Sequence, residues 1–123
     1  MIRLIQRRLI IPRGDTGTFS IPNLGPKGEN DVAVFSIYDP LTHKTVLEKN
    51  VSATDEMLTI TLEQNDTVNL EPKKYYWDIK IYTNPEYDAE NTELIIGGTQ
   101  IDSYYAAFSL PVCEIREVAK DYV

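Results

Sequence analysis

The stretch Leu70-Glu71-Pro72-Lys73-Lys74-Tyr75-Tyr76-Trp77-Asp78-Ile79-Lys80-Ile81 constrains the fold of this chain more than any other. Pro72 has a fixed φ and no N–H to give to a ladder, so it marks a corner. Behind it, Tyr75, Trp77, Ile79 and Ile81 fall on one face, and Tyr76, Asp78 and Lys80 on the other. A period of two with aromatic and aliphatic residues on one side predicts a half-buried antiparallel strand over 74–82.

The same chemistry recurs along the chain. Runs rich in β-branched and aromatic residues stand between clusters of Gly, Pro, Asn and Asp, which predicts an all-β domain rather than alternating strands and helices. Strands are expected at 2–11 (ended by Pro12), 17–21, 32–38, 45–51, 57–62 and 74–82, with a closing segment at 104–118 interrupted by Pro111. Residues 23–30 read as a Gly- and Pro-rich connection and 93–96 as a short strand pairing back. Gln64 to Leu70 lacks strand alternation and is read as one helical turn crossing between sheets. A tyrosine entering a strand just after a corner points to an antiparallel immunoglobulin-like β-sandwich of about seven strands.

At 123 residues and 42% hydrophobic content, the chain fits one domain over 1–123 that can bury a core without staples. Cys113 is the one cysteine, so no internal disulfide forms and the reading suits a reducing compartment. The start, Met1 to Ile11, mimics a signal peptide, but Arg7 and Arg8 interrupt its apolar run and no small-residue cleavage site follows. No segment reaches the roughly 20 apolar residues of a membrane span. The formal charge of −7 argues against nucleic acid. Arg3, Arg7, Arg8 and Arg13 all precede the first acid, Asp15, so a basic arm stands ahead of all 19 acids. Residues 1–12 therefore read either as an arm that exchanges strands with an acidic neighbour or as an edge strand guarded by charge.

No group of residues forms a catalytic constellation. His43 is the only histidine and falls in the turn Asp39-Pro40-Leu41-Thr42-His43-Lys44, without a nucleophile elbow elsewhere. Cys113, in phase with Pro111 and Ile115, reads as a small core hydrophobe. Arg13-Gly14-Asp15 matches an integrin-binding tripeptide, yet a turn after Pro12 needs the same residues. Glu86, Asp88, Glu90 and Glu93 make an acidic loop with Asn84 and Asn91 but without EF-hand spacing, so a solvated loop is expected, with a weak cation site at a subunit interface as the alternative, and no metal or other cofactor is assigned. The triplets Asn50-Val51-Ser52 and Asn65-Asp66-Thr67 carry no glycan in a chain that is not exported. Eight tyrosines stand out; in the pairs Tyr75-Tyr76 and Tyr104-Tyr105 one ring must face outward, open to a protein or a sugar.

Two segments, Arg13-Gly14-Asp15-Thr16-Gly17-Thr18-Phe19-Ser20-Ile21 and Leu70-Glu71-Pro72-Lys73-Lys74-Tyr75-Tyr76-Trp77-Asp78-Ile79, resemble the immunoglobulin-like N-terminal modules of baseplate upper proteins and related minor structural proteins of tailed phages. Ala107 to Val112 is a loose match to that family's closing strand. Lys73 departs from the glycine usual after the corner proline, and no coiled-coil heptad follows the domain. A small whole subunit, such as a head-fibre, decoration or adaptor protein, suits the length. The resemblance implies a non-enzymatic virion subunit, made in the host cytoplasm, that binds other virion proteins and copies of itself. The contact residues expected are Arg3, Arg7, Arg8, Tyr104 and Tyr105. The rival expectation is a carbohydrate-binding module for host glycans.

Overall fold

A computed structural model describes residues 1–23, 31–82, 92–96 and 111–118, with 92–96 as backbone only. The elements run β1 (Arg3–Ile5), β2 (Arg8–Pro12), β3 (Gly17–Pro22), β4 (Val32–Asp39), β5 (Lys44–Ser52), β6 (Met57–Leu62), α1 (Gln64–Thr67), β7 (Lys74–Tyr82), β8 (Thr92–Ile96) and β9 (Val112–Arg116). They form a sandwich. The front sheet has 7 strands in the order β1-β2-β9-β7-β4-β5, with β8 beside the second half of β7; the back sheet is the pair β3-β6. The β9-β7-β4-β5 sheet facing a β3-β6 sheet is an immunoglobulin-like arrangement.

Alternation builds the core between the sheets. Tyr75, Trp77, Ile79 and Ile81 on β7, Ala33, Phe35 and Ile37 on β4, and Leu58, Ile60 and Leu62 on β6 are all buried. Phe19 from β3 sets its ring edge-on to Phe35 and Trp77, at centroid distances of 5.5 and 6.1 Å. That triangle ties the two sheets together by packing, and Cys113, paired in register with Leu9 and Tyr75, is a buried residue of the same core.

The corner before β7 is held by three contacts. Tyr75 Oη donates to the Glu71 carbonyl at 2.7 Å, the tyrosine-corner bond of such sandwiches. Lys73 Nζ donates to both carboxylate oxygens of Asp39 at 2.9 Å and lies 5.2 Å from the Tyr75 ring centre. Lys73 thus ties the corner to the β4–β5 turn, a task glycine has no side chain to perform. Asp39 also caps that turn by accepting from Leu41 N–H, and His43 closes it with a φ of 58°. α1 lies in the connection from β6 of the back sheet to β7 of the front sheet: Lys49 pairs with Asp66 at 2.8 Å, and buried Thr67 accepts from Gly14 N–H at 2.8 Å.

Two expectations need correction. Residues 2–11 are not one strand but the hairpin β1–β2, turning at Gln6 with a φ of 58°. The reason is parity: a straight strand would send Leu4 and Leu9 to opposite faces, whereas the turn sets Leu4 opposite Leu9 so that both face the core. The sheet is also not wholly antiparallel, because β2 runs parallel to β9, pairing Leu9 with Cys113 and Ile11 with Ile115. With β1 and β2 counted apart and β8 short, the described strands number nine.

Candidate functional site: the basic N-terminal edge

The β1–β2 hairpin closes one edge of the front sheet and carries the arginines singled out above. Leu9 and Ile11 point into the core, so by alternation Arg8, Ile10 and Pro12 point outward. Cross-strand register then sets Arg3 beside Ile10, Ile10 beside Glu114 and Glu114 beside Lys74 in a single row over four strands. Arg116, two residues on from Glu114, shares this outer face. Arg3, Arg8, Lys74 and Arg116 therefore share one outer face with Glu114, on a molecule whose overall charge is negative.

Glu114 organises the patch. It accepts from Arg116 Nε at 2.6 Å and from the Arg8 guanidinium. These two hydrogen bonds, Arg116 first and Arg8 second, hold its carboxyl below the usual glutamate range. Arg13 pairs with Glu117 at 2.7 Å and donates its backbone N–H to the Arg116 carbonyl. Beside the patch lies an open groove of about 470 Å³ lined by Pro72, Lys73, Lys74, Glu114, Ile115, Arg116 and Glu117.

The hairpin is locked from below. Trp77 Nε1 donates to the Arg7 carbonyl at 3.0 Å, so the chain's one indole, fully buried in the core, grips the turn that presents the arginines. Above that turn, Ile5 on the outer face is 50% exposed. Among the described residues no strand pairs with the outer edge of β1. An unpaired strand edge next to arginines and one exposed isoleucine has the parts to accept an extended acidic or mixed segment by strand addition.

Of the residues expected to make contacts, Arg3 is exposed on β1, Arg8 is engaged with Glu114, and Arg7 is half-buried at the turn. Tyr104, Tyr105 and the acidic loop from Glu86 to Glu90 lie outside the described residues. For the other tyrosine pair, Tyr75 faces the core and Tyr76 faces out, opposite Tyr38. Sequence reasoning missed Lys74, Glu114 and Arg116 as parts of the patch. Alternation with Cys113 and Ile115 placed two of them on an outward face, but only the parallel pairing with β2 sets that face beside Arg3 and Arg8.

The remaining motifs resolve into structure. Pro12-Arg13-Gly14-Asp15 is a β-turn in which Asp15 N–H donates to the Pro12 carbonyl at 3.0 Å and Gly14 takes a φ of 80°, the geometry of a type II turn. His43 is exposed and shares a 3.2 Å hydrogen bond with Tyr38 Oη. Burial pushes the Cys113 thiol far above its ordinary value, with the Glu114 charge adding to it. The described residues hold no group of three or more metal-ligating side chains, and none of their helices is long and apolar enough to cross a membrane. Comparison with protein-family models, curated proteins and solved structures finds no match.

Proposed function

We propose that this chain is a non-enzymatic structural subunit of a bacteriophage virion, a head or tail accessory or adaptor protein, joined to its neighbours through sheet edges. The observation that carries the reading is the β1 edge: a strand paired on one side with β2, whose outer side has no partner strand among the described residues and presents Arg3 and half-exposed Ile5, on a hairpin fixed to the core by Trp77 in a chain of charge −7. Such an edge gives affinity through backbone hydrogen bonds, while its arginines select an acidic partner. The virion setting rests on the likeness of Arg13 to Ile21 and Leu70 to Ile79 to tailed-phage modules.

The test is the double variant Arg3→Glu/Ile5→Glu. Both residues lie on the outer face of an edge strand, so the fold is retained, as a thermal melt would report. Virions assembled with the variant are expected to lack the protein by mass spectrometry. Normal incorporation of a folded variant would overturn the reading. One observation favours a second reading: Tyr38 and Tyr76 stand directly opposite each other on the outer face, and adjacent aromatic rings suit a sugar face. Glycan-array binding lost on Tyr76→Ala would establish that carbohydrate-binding role, and silence across the array would dismiss it.

A further inference from the structure

The sheet edges of this molecule are guarded unequally. β1 carries Arg3. β5, at the far edge of the front sheet, carries Lys44, Glu48 and Lys49, and Lys49, opposite core-facing Phe35, is an inward-pointing charge engaged by Asp66 of α1. β3 ends at Pro22, and Ile2 lies against Gly17 at its start. β6 has none of these devices. Met57-Leu58-Thr59-Ile60-Thr61-Leu62 has no charge, proline or glycine, and among the described residues only β3 pairs with it. An uncharged six-residue strand with Thr59, Ile60 and Thr61, all of high β-propensity, at its centre is an association hazard on an edge without a partner.

We propose that β6 is a homodimer edge, with the β6 strands of two copies pairing antiparallel about Ile60 to join both back sheets into one four-stranded sheet. The occupant is a second copy because the strand complements itself in this register. Ile60 meets Ile60, Leu58 meets Leu62, and Thr59 meets Thr61, so each copy keeps its apolar residues toward the core and its threonines outward. Charges do not meet head-on either. Glu63 falls opposite Met57 of the second copy, and the acids Asp55 and Glu56 run toward its Asn65 and Gln64, so no like charges face each other directly. A two-fold axis through Ile60 closes the assembly at two copies. Leu58, Ile60 and Leu62 are already buried, so the gain comes from backbone hydrogen bonds and Thr–Thr contacts, and the dimer is concentration-dependent.

Sedimentation equilibrium on the full chain from about 1 μM to about 1 mM, a range that spans weak to moderate association, should show a monomer–dimer equilibrium. Two variants at the same positions test the register. Thr59→Lys/Thr61→Lys sets lysine against lysine twice and should weaken the dimer by at least about tenfold, whereas Thr59→Lys/Thr61→Glu sets lysine against glutamate twice and should keep it. Matching circular dichroism melts for the two variants exclude misfolding as the cause. A chain that stays monomeric throughout, or a dimer that ignores both variants, would overturn the proposal. Arg3→Glu/Ile5→Glu is expected to dimerise normally, which separates this edge from the one proposed for virion contacts; a monomeric result for that variant would overturn the β6 assignment.

Discussion

Tyr75 shows how a single atom can hold a corner. Its ring is 2% exposed and packs in the core, while its hydroxyl donates to the Glu71 carbonyl four residues back. Burial raises its phenol pKa above the ordinary value, so the hydroxyl keeps its proton and remains a donor over the usual range of pH. Tyr75→Phe keeps the ring and removes that bond, which is expected to cost about 1 kcal/mol. For a domain of this size the melting temperature should fall by roughly 3–5 °C. Calorimetry checks it, and an unchanged melting point would show that the corner stands on Pro72 and the Lys73–Asp39 pair alone. Tyr75 was readable from the sequence because corner and strand are adjacent. The Trp77 bond to Arg7 was not, because its two ends lie 70 residues apart in the chain.

At the scale of elements, the β4–β5 turn and the corner before β7 are joined by one ion pair. The side-chain hydrogen bond from Lys73 holds the Asp39 carboxyl below its usual range, and the reciprocal bond from Asp39 raises Lys73. Asp39 has the lower pKa in the folded state, so its contribution is present above the unfolded aspartate value of roughly 4 and is lost as pH falls through the folded value. Lys73 has the higher pKa in the folded state, so its contribution is present below the ordinary lysine value and is lost as pH rises through the raised one. Asp39→Asn should therefore be less stable than the parent at pH 7, with the gap closing as pH falls below about 4. Urea denaturation at a series of pH values reads this directly, and a gap that stays constant down to pH 2 would remove the pair from the account. Strands β3 to β7 were legible because each carries its own period of two. The β1–β2 hairpin was not read because its turn has neither glycine nor asparagine, although the parity break between Leu4 and Leu9 was there to be counted. The Asp39–Lys73 pair was hidden for a different reason: nothing local to either residue reports that the two corners meet.

For the molecule as a whole, the N-terminal segment is two things joined by a turn. β1 and the residue before it form a rim that contributes Leu4 and Ile2 to the margin of the core, whereas β2 is part of the core itself, with Leu9 and Ile11 fully buried and Ile10 3% exposed on the outer face. Losing a buried leucine or isoleucine side chain costs about 2–5 kcal/mol, so losing both Leu9 and Ile11 approaches the roughly 5–15 kcal/mol that holds a whole domain together. Removing residues 1–5 should leave a folded domain with a lower melting point. Removing residues 1–11 should leave none, because β9 then loses its parallel neighbour and the Trp77 indole its acceptor. All of these contacts are made by a short segment joined to the rest through the Pro12 to Thr16 turn, so a free peptide can make the same contacts once its concentration replaces the effective concentration that the tether supplies. A synthetic peptide of residues 1–14, added to the chain that lacks residues 1–11, should restore the β-sheet spectrum and a cooperative melt in proportion to peptide bound. Recovery would establish that the arm can be supplied by another molecule, which strand exchange between subunits requires. A truncated chain that stays unfolded at saturating peptide would confine the arm to its own domain and leave the β1 edge to act only from the outside.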